Sequence, residues 1–216
     1  MKKIYLLLAV ASFGFQAMAQ TFVSTDAEKK NVVLEEYTGI YCTWCPAGHK
    51  IAQAMKEDSP KDIVLVNVHS SSTWAAPRAG TDDPDFRTPY GDVLASTDNV
   101  SSYPAGSINR KVFANSQNGG TNMSRSYWET SASEILAENS PVNVAVQTTL
   151  DLENRELIID VEVYYTADAT NSTNKLNLAL LQNNIEGPQT GAEANYPENI
   201  LPDGQYNHQH MLRDFI

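Results

Sequence analysis

Hydrophobic spacing changes character near the middle of the chain. Val32-Val33-Leu34-Glu35-Glu36-Tyr37 is a short run rich in β-branched residues that ends at the turn signal Thr38-Gly39, which predicts a strand. Beyond it Ala47, Ile51 and Met55 recur every four residues with Ala54 beside them, while Lys50, Gln53, Lys56 and Glu57 take the other side. That spacing predicts an amphipathic helix, with Pro46 suited to its first turn and Asp58-Ser59-Pro60 ending it. Ile63 to Val68 is almost continuously apolar, the pattern of a strand covered on both faces. Strand, helix and strand make a βαβ unit.

From Ser70 to Ser96 the chain is polar and turn-rich, with one short helical stretch from Tyr90, and is expected to be an insertion over the sheet. Ser107 to Phe113 reads as a further strand, and Asn122 to Glu138 as a second amphipathic helix capped by Asn122. After a polar lead-in over 20–31, the first domain is expected to span 32–139 and to be α/β. Past Ser140-Pro141 the period becomes two. Val142, Val144 and Val146 alternate with polar residues, as do Leu157, Ile159, Val161, Val163 and Tyr165, with Asp151 to Asn154 as the turn between them. Leu176, Leu178 and Leu180 suggest a third strand and Tyr206 to Ile216 a fourth. An all-β, sandwich-like domain is therefore expected over 140–216. A complete sandwich of the immunoglobulin kind takes about 100 residues and seven strands, so this one reads as truncated.

The amino terminus carries Lys2 and Lys3, an apolar run from Ile4 to Phe15 and the small-residue site Ala17-Met18-Ala19, the pattern of a secretory signal peptide over 1–19. The run is shorter than the ~18 residues that cross a bilayer, and no later segment is uninterruptedly apolar. No transmembrane segment is expected in the mature chain. Losing the two lysines takes the formal charge from −11 to −13. Such acidity argues against nucleic acid and anionic membrane surfaces as partners.

Cys42 and Cys45 are the only cysteines. The loop they close is too short to staple distant parts of a fold, so their purpose is local. Two thiols at a helix start can form an exchangeable disulfide. The first lies near unpaired backbone N–H groups and the positive end of the helix dipole, which favour its thiolate. Cys42 is then the nucleophile and Cys45 the resolving thiol. An inert disulfide that pins the helix start and half of a metal site are the other readings. A metal needs two more ligands. His208 and His210 share a face of their expected strand, but nothing places them near the cysteines, and neither metal nor cofactor is expected.

Val33 through Pro46, with Cys42-Thr43-Trp44-Cys45 at its centre, resembles the strand and active-site helix start of the thioredoxin superfamily. The resemblance implies a thioredoxin-like first domain and a buried acid on the strand six residues before the first cysteine, which falls on Glu36. Glu36 would accept a proton from Cys45, although Glu35 lies beside it and only one of the two is expected to point inward. It also implies a cis-proline loop facing the disulfide, here Tyr103-Pro104, with Pro104 presenting a backbone edge to substrate. Tyr41, Trp44 and Tyr103 are the substrate-contact candidates, with packing on the sheet rim as the alternative. Ile185-Glu186-Gly187-Pro188-Gln189-Thr190-Gly191 and Tyr206 to Arg213 widen the resemblance to nearly the whole chain. They are similar to the twenty-eight-kilodalton outer membrane protein (Omp28-related) family of Bacteroides-type bacteria. This implies an exported protein of the periplasm, outer membrane or cell surface.

Two functions follow as expectations. One is an envelope thiol-disulfide oxidoreductase acting on exported cysteine-containing proteins through Cys42, Cys45, Glu36 and Pro104. The other is a non-enzymatic surface interaction or adhesion protein on a thioredoxin-like scaffold, its partner unidentified and its membrane association peripheral. An accessible Cys42 favours the first and a buried Cys42 the second.

Overall fold

A computed structural model of the protein describes residues 22–169 and 173–216. The expected signal peptide lies outside the described residues. The elements run β1 (Val32–Thr38), α1 (Cys45–Asp58), β2 (Ile63–His69), α2 (Pro89–Thr97), β3 (Ala105–Ile108), β4 (Met123–Ser124) and α3 (Trp128–Ala137). They continue with β5 (Val142–Asp151), β6 (Glu156–Tyr165), β7 (Ala179–Gln182), β8 (Ile185–Gly187), α4 (Ala192–Asn195), β9 (Tyr206–His208) and β10 (Met211–Phe215).

The chain divides into two compact units. The larger comprises 27–140 and 169–216, and the smaller 141–168 with the residues up to Asp26. A mixed six-stranded sheet in the order β4-β3-β1-β2-β10-β7 organises the larger unit. β2 runs parallel to both β1 and β10, and the other pairs are antiparallel. Both faces of its centre are covered, as the apolar run of β2 requires. Val32, Leu34, Ile63, Leu65 and Ile108 pack on one face against Ala52 and Met55 of α1 and Trp128, Ala132 and Ile135 of α3. On the other face Tyr37, Val66, Val68 and Leu212 pack with Leu94 and Ala95 of α2.

Several sequence expectations are corrected here. The strand expected over 107–113 stops at Ile108, because Asn109 and Arg110 adopt left-handed φ values of 49° and 47° and turn the chain. Asn122 caps no helix. Residues 123–124 form β4 against β3, a 3₁₀ turn follows, and α3 begins at Trp128. The inward stripe of α1 is Cys45, Gly48, His49, Ala52 and Met55, with Ala54 exposed, because a histidine and a glycine take core positions. Between β9 and β10, His210 at φ 53° breaks the strand expected over 206–216, so His208 and His210 are not neighbours on one strand face.

The all-β body expected over 140–216 is not a single unit. β7 and β10 join the six-stranded sheet, β8 pairs with β9, and only β5 and β6 form the smaller unit. Period two marks β5 and β6, but the sequence reading omits β8 and merges β9 with β10. Within that smaller unit the two alternating strands pair as an antiparallel hairpin, with Val144 opposite Val163 and Leu150 opposite Leu157. Asn143 Nδ2 donates to the carbonyls of Ser24 and Asp26, and Glu162 accepts from the backbone of Phe22 and Val23. These bonds hold the polar face. On the apolar face Val144, Val146, Leu150, Leu157 and Val163 are exposed.

Candidate functional site

Cys42 and Cys45 form a disulfide across the entrance of α1, with Cα atoms 5.4 Å apart. Pro46 fills the first turn, where its missing N–H costs nothing. Neither cysteine is open: Cys42 is 3% exposed and Cys45 fully buried. The cover is a later stretch of chain. Gln189 Nε2 donates to the carbonyls of Gly39 (3.2 Å) and Cys42 (3.1 Å), Thr190 N to Ile40 O (2.8 Å), and Asn195 Nδ2 to Thr43 O (3.0 Å). Backbone contact is close enough that a Cβ at Gly191, whose φ is +78°, would lie 2.2 Å from the Thr43 carbonyl oxygen. Residues 189–195 therefore clasp the loop that carries the disulfide.

The other expected site residues scatter around this centre. The Tyr103–Pro104 peptide is cis. Pro104 and Glu36 converge behind the helix, where a Cβ at Gly48 would meet Glu36 Oε1 at 2.4 Å and Pro104 Cβ at 3.1 Å. Tyr41 is buried, its hydroxyl donating to Asp83 (2.6 Å) and accepting from the Arg78 backbone N–H (3.0 Å), so it braces the 70–96 segment. Tyr103 hydrogen-bonds Ser70 through its hydroxyl (2.9 Å). Trp44 alone among these aromatics is well exposed, at 57%, with the Arg125 guanidinium 5.7 Å from its ring centroid. Both Glu35 and Glu36 are buried, on opposite faces of β1, contrary to the expectation that one would point outward. Arg110 satisfies Glu35, its Nε donating at 2.8 Å.

Glu36 is fully buried and neither carboxyl oxygen has a hydrogen-bond partner among the described residues. Burial raises its pKa well above the carboxylate range, against a smaller opposing pull from Arg125. His49 lies 3.9 Å away, but burial pushes that imidazole down to about 3, so the two are neutral neighbours rather than an ion pair. His49 instead bridges Thr38 Oγ1 and the Tyr206 hydroxyl, each at 2.9 Å. The Tyr206 ring stands 5.0 Å from that of His208, which contacts His69 and Phe86 edge-on at 5.3 and 5.1 Å. His208 is lowered to about 4 by burial, and His69 is pushed well below its ordinary value for the same reason. A cavity of about 400 Å³ opens among Glu36, His49, Asn67, Tyr196, Tyr206 and His208.

Sequence reasoning missed this polar interior. His49 sat within a helix whose apolar face was placed on Ala47 and Ile51, and Tyr206 and His208 lie more than 150 residues away in the chain. The one available signal was a histidine four residues after Cys45, at the spacing that shares a helix face with it.

The family model for Outer membrane protein Omp28 matches residues 92–216, more than half of the chain. No curated protein matches it in sequence. Among solved structures, HBP35 of Porphyromonas gingivalis aligns with a TM-score of 0.63 at 20% identity, covering 87% of this chain and 57% of that one. Protein AGR_C_4864 from Agrobacterium tumefaciens aligns with a TM-score of 0.53 at 13% identity, over 88% of this chain and 72% of that one. This chain thus spans under two thirds of the length of HBP35, and at these identities the likeness is one of fold. Among the described residues no helix is long and apolar enough to cross a membrane.

Proposed function

The chain belongs to the Omp28 outer membrane protein family, and we propose that in the cell envelope it acts as a non-enzymatic interaction protein on a thioredoxin-like scaffold, its disulfide fixing the start of α1. The observation that carries this is the cover. A nucleophilic thiol must be reached by the disulfide it attacks. Cys42 is 3% exposed, and the carbonyls of its loop are engaged by Gln189, Thr190 and Asn195. Held in this way, the disulfide stiffens the turn into the helix and gives residues 189–195 a fixed surface to grip. Trp44 beside it, exposed and with the half-buried Arg125 guanidinium near its ring, is available to a partner.

The test replaces Cys45 with alanine, leaving Cys42 free to trap any protein that exchanges with it. Non-reducing gels of envelope extracts are expected to show no mixed disulfide, and the unaltered protein no turnover of a small disulfide substrate. A trapped partner that disappears when Cys42 is also replaced would establish the second reading, an oxidoreductase for exported cysteine-containing proteins. One observation favours that reading: Glu36 and Pro104 meet at the Gly48 backbone, one turn beyond Cys45. In it Cys42 attacks, Cys45 resolves, and segment 189–195 has to lift first.

A further inference from the structure

The cavity beside α1 is furnished in a way that neither reading of the cysteines uses. Its floor is formed by Glu36 and Asn67, which are register partners on the parallel strands β1 and β2 and so project from the same face of the sheet. Both are buried. Glu36 leaves two carboxyl oxygens without a partner, and Asn67 leaves Oδ1 unpaired, its Nδ2 being committed to Gln209 O at 2.9 Å. The walls are aromatic, with Tyr206, His208 and Tyr196. The volume of about 400 Å³ is within the ordinary range for small-molecule sites, roughly 300–1,000 Å³. Most buried polar groups are satisfied, so three buried oxygens without a partner among the described residues, on two residues that line one cavity, call for an occupant.

The chemistry of that occupant can be read from the unpaired atoms. Among the described residues no cationic side chain pairs with Glu36, the nearest imidazole is spoken for by Thr38 and Tyr206, and burial favours the neutral form of the carboxyl. A neutral carboxyl offers one O–H donor and one carbonyl acceptor. Asn67 Oδ1 adds a second acceptor next to it. The complementary edge has one acceptor and two N–H donors on adjacent atoms. We propose that this cavity binds a small neutral molecule through a primary carboxamide or urea-like edge. The ligand's carbonyl accepts from Glu36, one N–H donates back to Glu36, and the other donates to Asn67 Oδ1. Its apolar body lies against the Tyr206 ring at the cavity wall.

The test titrates the purified protein at neutral pH with benzamide, benzoate and benzylamine, following the Asn67 side-chain amide by NMR. Benzamide is expected to give a saturable shift with a Kd of about millimolar order, as befits a small fragment, and the charged analogues to bind at least about tenfold more weakly. Glu36→Gln presents the same donor and acceptor and is expected to stay within about threefold of the unaltered protein, while Glu36→Met and Asn67→Val each lose about tenfold. The three probes on unaltered protein need no variant to fold, and thermal unfolding checks the variants. Absence of benzamide binding would mean that the cavity holds only water and overturns the proposal. Tighter binding of benzylamine, or equal losses for Glu36→Gln and Glu36→Met, would mark a site for cations built on an ionised Glu36 and overturns it equally.

Discussion

Gly191 combines a left-handed φ of +78° with a backbone contact that leaves no room for a side chain. Alanine there must both adopt a disfavoured conformation and displace the Thr43 carbonyl. We expect Gly191→Ala to lower unfolding free energy by about 1–3 kcal/mol, measured by urea denaturation. The buried imidazoles predict a second effect. His49 and His208 titrate near 6.5 in the unfolded chain but near 3 and 4 when folded, and His69 is displaced in the same direction. Between those values the unfolded chain holds more protons, so stability falls as pH drops from about 6.5 toward 4, by up to about 1.4 kcal/mol per pH unit for each group. Glu36, raised above its ordinary value, works the other way: its contribution is present at low pH and is lost as pH rises. Three imidazoles outweigh one carboxyl. Urea titrations at pH 7 and pH 5 should therefore show a clear loss at pH 5, and His208→Gln should reduce the slope by about one proton; a flat profile would refute the neutral-histidine assignment.

Among the elements, the clasp of residues 189–195 is a matter of hydrogen bonds to four loop carbonyls, two of them accepting from the Gln189 amide. Removing that amide at about 1 kcal/mol per bond is expected to speed reduction of the disulfide by dithiothreitol about five- to thirtyfold in Gln189→Ala. An unchanged rate would mean that the clasp does not control access. The β5–β6 hairpin makes a contrasting case. A two-stranded hairpin is marginal by itself in water, and this one leaves large apolar side chains such as Val144, Leu150, Ile158 and Val163 exposed. Amides of Val144, Val146 and Val161 should exchange with deuterium at least about tenfold faster than those of Leu34 and Leu65 in the covered strands. Strand type and the hairpin connection were legible here because alternation and a turn are local signals. So was the βαβ unit around Cys42. The clasp was not, since Gln189 meets Gly39 and Cys42 across some 150 residues, and no local pattern carries that pairing.

For the whole molecule, the expected division into two consecutive domains meets a chain that returns on itself. The pattern changes at Ser140-Pro141, and a compact unit does end there, but the chain returns to it at residue 169. Family membership and the cysteine pair were legible as motifs, while the burial of Cys42, on which the functional reading turns, is a property of the returned segment. That return places β10 between β2 and β7, with Asn67 N donating to His210 O at 2.8 Å. Its consequence is temporal. Here β2 lacks its outer neighbour, and the cavity its Tyr206 and His208 wall, until residues near 211 have been synthesised. The face of β2 that packs on α1 and α3 is complete from residues 32–136, whereas its edge toward β10 stays open until Met211 is present. A chain halted before Tyr206 should remain protease-sensitive around β2, whereas one extended through Phe215 should acquire resistance there.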